Sequence, residues 1–361
     1  MGWATWNLYH REFTEQVFYD AADIISSTDM KKVGYEYINV DGGWWWSLNS
    51  TVQRNTSGYA YFSPSKYPDG ITTIINYIHS KGLKYGHYTD AGTAACDGDK
   101  QMSEHFMPQD VALFYQWGMD MIKVDACNIA GNDTEIIFEW RDMLNATGKA
   151  ILFSDCHNQC MNDASKNVNW QPWCIDLANM WRVSKDIQPH WSNMLHNFDC
   201  TNGLGKYAQP GAWSDPDFLE VDIGEFLYDG TTKSLLMNQA HFSLWCIASA
   251  PLIAGNNLTN MSSDILSVLT NKDAIDINQN YLNNGGDVIT EFNISDQFRK
   301  EYENQVITNK NMTGLYYKPL PTKIGQAAFV FLNRDNSTSY QVSLDYNQLP
   351  LSNDQNNPLK C

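Results

Sequence analysis

Apolar residues in this chain recur at helical spacing, stop at a glycine, and resume as a short unbroken run that ends in aspartate. Val17, Ala21, Ile24 and Ile25 line one helical face; Gly34 follows, and Tyr35 to Val40 lead into Asp41. Ile71, Ile74, Ile75 and Ile78 precede Gly82 and the run from Leu83 to Thr89, which reaches Asp90. Val111, Phe114 and Tyr115 precede Gly118 and the run Met119 to Val124, which reaches Asp125. Ile136, Trp140, Met143 and Leu144 precede Gly148 and the run Ala150 to Ser154, which reaches Asp155. A period near 3.6 that gives way to a continuous apolar run is the signature of a helix followed by a buried parallel strand. Glycine is the expected stop after each helix. The pattern continues more faintly through Asn179 to Val183, Gly211 to Trp213 and Leu244 to Ile253.

Helix and strand alternating in this way imply a parallel sheet, open or closed. Units enough for about eight strands by residue 280 favour a (β/α)8 TIM barrel over residues 1 to 282. A doubly wound sheet is the alternative, but no glycine-rich phosphate loop follows the first strand. From residue 283 to 361 the texture changes. Ala327 to Asn333 and Tyr340 to Tyr346 predict strands joined by the polar turn Arg334 to Ser339. We expect a small antiparallel β domain there, incomplete because its strands are too few to close a sandwich.

The chain's 361 residues fit a barrel plus an appendage. A net charge of −17 excludes nucleic acid as a partner, whose phosphates demand a basic footprint. No stretch of about 18 apolar residues is present, so no membrane span is expected. Eight cysteines and the sequons at Asn49, Asn55, Asn132, Asn145, Asn257, Asn260, Asn293, Asn311 and Asn336 point to the secretory route. A secreted, cell-surface or lysosomal/vacuolar glycoprotein is expected, any leader having been removed.

Strand-end aspartates converge on one face of a barrel. Asp155 and Asp90 can be read as helix caps, a reading that does not suit Asp125, which lies between Lys123 and Cys127 with no helix start beside it. Metal chemistry would call for histidine among the ligands. Proton abstraction next to a carbonyl would call for a Lys or His base with magnesium. Glycoside hydrolysis needs two carboxylates astride the bond and aromatic surface for the sugar, for which Trp44, Trp45 and Trp46 are candidates.

The motifs decide between these chemistries. Met1-Gly-Trp-Ala-Thr-Trp-Asn7, Tyr85 to Gly92, Lys123-Val-Asp-Ala-Cys127, Trp181-Arg-Val-Ser-Lys-Asp-Ile187, Trp213-Ser-Asp-Pro-Asp217, Trp245 to Leu258 and Ala274 to Gln279 occur in order. Together they resemble family twenty-seven of the glycoside hydrolases, the α-galactosidase family, from residue 1 to about 281. The resemblance implies a retaining, exo-acting glycosidase with Asp125 as nucleophile and Asp186 as acid/base, whose carboxyls should lie about 5–5.5 Å apart. It implies sugar-binding roles for Asp41, Tyr88, Lys123, Arg182 and Asp217, with Trp3 and His157 added as candidates. It also implies a Cys96–Cys127 disulfide, a carbohydrate as partner, and no metal or cofactor.

The sequence departs from the family at three places. Asp41-Gly42-Gly43 stands where the family has two aspartates and a cysteine, so an acceptor for the sugar's 4- and 6-hydroxyls is missing. Cys156-His157 stands for Cys-Glu, which puts recognition of the 2-position in doubt at His157. Lys185 replaces a small residue before Asp186, and is expected to point away from it; His190 replaces an acidic residue. Cys156 and Cys160 are expected to pair with Cys174 and Cys200 in an order left open. Cys246 is expected to be a free core thiol. These departures leave α-galactoside hydrolysis first, with isomaltodextranase-like α-glucan or β-L-arabinopyranoside hydrolysis as the alternative. A catalytically silent carbohydrate-binding glycoprotein is the third reading.

Overall fold

A computed structural model of the chain describes residues 1–45, 51–163, 170–280, 290–291, 313–320 and 327–334. Eight parallel strands form one sheet: β1 (Gly2–Ala4), β2 (Tyr37–Asn39), β3 (Lys84–Asp90), β4 (Met121–Asp125), β5 (Leu152–Cys156), β6 (Met180–Arg182), β7 (Trp213–Asp215) and β8 (Ile253–Ala254). Their spatial order is β7-β6-β5-β4-β3-β2-β1-β8. The parallel bridge between Leu219 and Ala254 joins the two ends, so the sheet curls into the expected barrel. The run-up to the first predicted helix holds β1, a strand of three residues too short to show a period.

The helices are α1 (Trp6–Tyr9), α2 (Gln16–Ser27), α3 (Asp29–Lys32), α4 (Ile71–Ser80), α5 (Met107–Trp117) and α6 (Asp133–Ala146). They continue with α7 (Cys174–Leu177), α8 (Trp191–Asp199), α9 (Thr232–Ile247), α10 (Ser263–Leu269) and α11 (Lys272–Asn278). All four isoleucines predicted on one face of α4 are buried. On α5, Val111 and Phe114 are buried, but Tyr115 is 47% exposed. Gly118 ends α5 in the left-handed region at φ 86°, donating to Phe114 and Tyr115 carbonyls, which a Cβ would oppose. The stretch Leu244 to Ile253 is no single strand: its first four residues close α9, and only Ile253 and Ala254 pair as β8. Both pieces are buried, so an apolar run alone could not separate them.

Beyond the barrel, β9 (Thr290–Glu291), β10 (Thr313–Pro319) and β11 (Ala327–Asn333) make an antiparallel sheet in the order β11-β10-β9. β11 is the strand expected from the sequence. Its partner β10 was not anticipated, and the predicted strand Tyr340 to Tyr346 lies outside the described residues, as does the boundary between residues 282 and 283. Tyr316, Ala328 and Leu332 join the barrel's hydrophobic core, and the Lys318 ammonium donates to Ser249 Oγ at 2.6 Å. Arg334 grips Asp199 beyond the end of β11.

Candidate active site

Strand alternation decides which side chains enter the barrel. Ala4, Met121, Met180, Phe218 and Ile253 form a small cluster of their own, with Tyr37 and Leu152 against it. Trp3, Ile38, Ile122, Phe153 and Trp181 belong to the larger cluster. Positions two and four beyond the small cluster's residues therefore share its side of the sheet: Lys123 and Asp125, Ser154 and Cys156, Arg182. The registers pair Asp90 with Asp125, Asp125 with Cys156, and Arg182 with Asp215.

Asp125 is surrounded by donors. Tyr88 donates its hydroxyl to Asp125 Oδ2 at 2.5 Å, and the Cys156 thiol donates to the same carboxylate. Burial pushes the Asp125 carboxyl above its usual range and Asp186's charge adds to this, while the Lys123 ammonium and the two hydrogen bonds pull it down. Burial alone would lower the Lys123 ammonium, but the charges of Asp41 and Asp125 hold it above its ordinary value. Lys123 donates to Asp41 Oδ2 at 2.8 Å, and Asp41 is itself set by a bond from its N–H to Thr5.

Arg182, 1% exposed, ties the other half together. Its Nη2 lies 2.9 Å from Asp217 Oδ2 and 3.1 Å from Asp186 Oδ1, and Nη1 donates to Cys156 Sγ at 3.5 Å. Asp217 sits at φ 83°, a conformation rarely adopted by a residue with a Cβ, and receives the Ile187 N–H at 2.9 Å. The loop holding Asp186 is thus fixed from below by Asp217 and from the side by Asn197, which donates to the Lys185 carbonyl at 2.8 Å. The Asp186 side chain itself is 74% exposed. The charge of Lys185 acts on Cys200, and His190 faces Glu225 at 3.3 Å.

Asp125, Asp186, Asp41, Tyr88, Lys123, Arg182 and Asp217 are therefore brought together. Trp3 is not among them. It is 1% exposed, points into the large cluster as the odd residue of β1, and donates its indole N–H to the Asn256 carbonyl at 2.9 Å. Trp6, two residues beyond β1, packs against the small cluster instead. Trp44 and Trp45 are also buried, braced on the Tyr88 carbonyl and on Asp99, while Trp46 lies outside the described residues. Trp6 opens the short helix α1 directly after β1, so the two tryptophans belong to different elements.

The same parity corrects His157. It is fully buried, paired through Nδ1 to Asp155 at 2.6 Å and set beside Trp173, so it turns away from Asp125. Cys156 faces the site in its place. Neither Asp155 nor Asp90 caps a helix: Asp155 binds His157 at both its N–H and its ring, and Asp90 accepts from the N–H groups of Gly92 and Cys127. Asp90 is held in a fully buried turn next to Asp125, where burial and that neighbouring charge push it up to about 8.

A Cβ on Gly42 would come 3.1 Å from Cζ3 of the Trp6 ring, so a side chain there would press on the indole and require it to shift by a few tenths of an ångström. Cys96 and Cys127 are bonded, with Cα atoms 5.1 Å apart, next to Asp125. Cys160 pairs with Cys174, but Cys156 and Cys200 do not pair with each other. Cys156 is committed to the barrel side of β5, and Cys200 lies at the end of α8. Cys246 is a free buried thiol, as expected. Of the sequon asparagines, Asn55, Asn132, Asn145 and Asn260 are exposed and Asn257 is half-buried; Asn49, Asn293, Asn311 and Asn336 lie outside the described residues. Among the described residues no helix is long and apolar enough to cross a membrane.

Comparison with known proteins places the molecule. The profile of the family described as alpha galactosidase A matches residues 2–280. α-Galactosidase 2 of Arabidopsis thaliana is 35% identical over 283 residues, covering 78% of this chain and 67% of that one. α-Galactosidase A of Cellvibrio japonicus is 33% identical over 363 residues, covering 97% and 79%. The crystal structure of α-galactosidase I from Mortierella vinacea superposes with a TM-score of 0.73 at 26% identity, covering 92% of this chain and 80% of that one. The matched stretch spans about two thirds of the Arabidopsis relative's length.

Proposed function

The chain belongs to the α-galactosidase family of glycoside hydrolases, and on that footing we propose that it is a retaining exo-glycosidase that removes a terminal α-galactosyl unit through a covalent intermediate on Asp125. The observation that carries this reading is the Arg182 clamp. One guanidinium holds the exposed Asp186 and the buried Asp217, and the charge of Asp186 acts on Asp125.

Asp125 attacks the anomeric carbon while Asp186 donates its proton to the leaving oxygen. A bound sugar shields the exposed Asp186 carboxyl from water, which favours the protonated form that this step needs. This acts against the Arg182 guanidinium 3.1 Å away, which favours the ionised form needed for the second step. Departure of the aglycone leaves a galactosyl ester on Asp125. Asp186, now ionised, takes a proton from water, and the hydroxide opens the ester with net retention. Lys123 and Tyr88 favour the ionised form of Asp125 against its burial and aim it between turnovers, and Lys123 with Asp41 binds sugar hydroxyls. The Trp6 ring takes the apolar face of the sugar.

Gly42 under the Trp6 ring and a thiol at Cys156 support a second reading, the same mechanism with altered sugar recognition, as for an α-1,6-glucan or a β-L-arabinopyranoside. Hydrolysis of nitrophenyl α-galactoside, nitrophenyl α-glucoside, nitrophenyl β-L-arabinopyranoside and isomaltose decides between them. The first reading requires the galactoside to have the highest kcat/KM. Binding without turnover of any of these sugars would favour the silent glycoprotein. The two disulfides and the exposed sequon asparagines support a secreted, cell-surface or lysosomal/vacuolar location.

A further inference from the structure

Cys200 was expected in a disulfide, yet its sulfur lies 3.9 Å from His196 Nε2, and that nitrogen lies 3.0 Å from Asp163 Oδ2. The three donor atoms all fall within 4.8 Å of one another. We propose that Asp163, His196 and Cys200 form a binding site for a divalent cation of zinc type, separate from the catalytic carboxylates.

Geometry is the first support. With Zn–S about 2.3 Å, Zn–N about 2.0–2.1 Å and Zn–O about 2.0–2.2 Å, tetrahedral coordination puts sulfur and nitrogen about 3.6 Å apart, and nitrogen and oxygen about 3.4 Å apart. The observed sulfur–nitrogen and nitrogen–oxygen separations, 3.9 and 3.0 Å, each lie within about 0.4 Å of these values, and sulfur and oxygen lie within 4.8 Å of each other. One oxygen, one imidazole nitrogen and one sulfur make a donor set that suits zinc better than magnesium or calcium.

The second support is that the ligands are held in place by the fold. His196 and Cys200 stand four residues apart at the end of α8, a spacing that puts both on one helix face. Asp163 is fully buried, and the residue before it is anchored three times: the Asn162 N–H donates to the Val183 carbonyl, and its side chain donates to the carbonyls of Cys200 and Asn202. The C-terminal end of a helix carries partial negative charge, which favours a cation. The charges of Lys185 and Asp199 also reach the thiol, the first opposing a cation and the second attracting it. The His196 side chain is 32% exposed, so the fourth position opens to solvent and to an incoming ion. An ion here would stiffen α8, whose Asn197 steadies the Asp186 loop.

The test is metal binding by the whole protein, read without any activity assay. Protein stripped with a chelator and dialysed against Co²⁺ should retain one equivalent and show a thiolate-to-cobalt charge-transfer absorption. Cys200→Ser should abolish that absorption and weaken Co²⁺ binding at least tenfold, Asp163→Asn should weaken it as well, and Cys246→Ser should change neither. Zn²⁺ should displace the cobalt and raise the melting temperature of the wild type but not of Cys200→Ser. Absence of retained metal in the wild type, or equal retention and absorption in Cys200→Ser, overturns the site. If Cys200→Ser does not fold, Asp163→Asn decides in its place, and an unchanged cobalt affinity in that variant overturns the site equally.

Discussion

Asp90 and Glu220 are carboxyls that the fold keeps protonated at neutral pH, and this should make the protein less stable as the pH rises from 6.5 to 8. Burial is the main cause for both, aided by the charge of Asp125 on Asp90 and of Asp217 on Glu220; they are pushed up to about 8 and about 9. In the unfolded chain they return to the ordinary carboxylate range and ionise. A group whose folded pKa is raised stabilises the fold below its unfolded pKa, and that contribution is lost as pH climbs to the folded value. His87 and His241 work the other way: burial lowers both to about 3, so the unfolded chain gains their protons below about 6.5. Between about pH 5 and 6.5 the two pairs cancel, with Asp215, raised to about 6 by burial, adding a slight fall. Above 6.5 His87 and His241 are silent, the two carboxyls together lose about 2.7 kcal/mol per pH unit, and His157, held above its ordinary value by Asp155 despite its burial, adds to the fall. At about 2 °C per kcal/mol, the melting temperature should fall by about 5 °C between pH 6.5 and 7.5. Calorimetry or urea titration across pH 5 to 8 measures this. Glu220→Gln, which keeps the acceptor for Asn7, should halve the slope above 6.5. A stability that is flat or rises from 6.5 to 8, or an unchanged slope in Glu220→Gln, would refute the reasoning.

Three further outcomes follow from the site. Asp186→Ala should slow hydrolysis by about 10²–10⁴-fold for glycosides with poor leaving groups but far less for nitrophenyl galactoside, and azide should restore turnover; equal loss on both substrates counts against it as the acid. Trp6→Ala should raise KM with a smaller effect on kcat, whereas Trp3→Phe should leave KM alone and cost about 1 kcal/mol of stability for the lost bond to Asn256, read by urea denaturation. Cys156→Ala should change the ratio of kcat/KM for a galactoside and its 2-deoxy analogue by up to about tenfold, equivalent to about 1.4 kcal/mol; His157→Ala should change stability and leave that ratio constant.

The barrel was legible because a buried parallel strand and its covering helix impose two periods that cannot be confused over a dozen residues. The isoleucines of α4 report this directly. Where elements are short the signal disappears: β1 has three residues, and the end of α9 is apolar on every side, so neither declared its type. The acids and basic groups of the site were readable from motif order alone. Strand parity was the neglected information. Counting two at a time from Met121 and Leu152 predicts that Asp125 and Cys156 share a face and that His157 leaves it. On β1 the alternation places Trp3 in the large cluster and Ala4 in the small one. The Cys160–Cys174 pairing and the Cys200 cluster depend on how the loop after β5 folds against α8, which no local pattern records.

The claim on which all of this turns is that the carboxyl of Asp125 becomes covalently attached to the sugar. A fluorinated galactosyl donor whose enzyme-bound intermediate hydrolyses slowly can trap that species, and peptide mass spectrometry can locate it. The account predicts a stoichiometric galactosyl adduct on the Met119–Cys127 segment, fragmenting to Asp125. An adduct on Asp186, Asp90 or any other residue, or inactivation with no adduct, would contradict it.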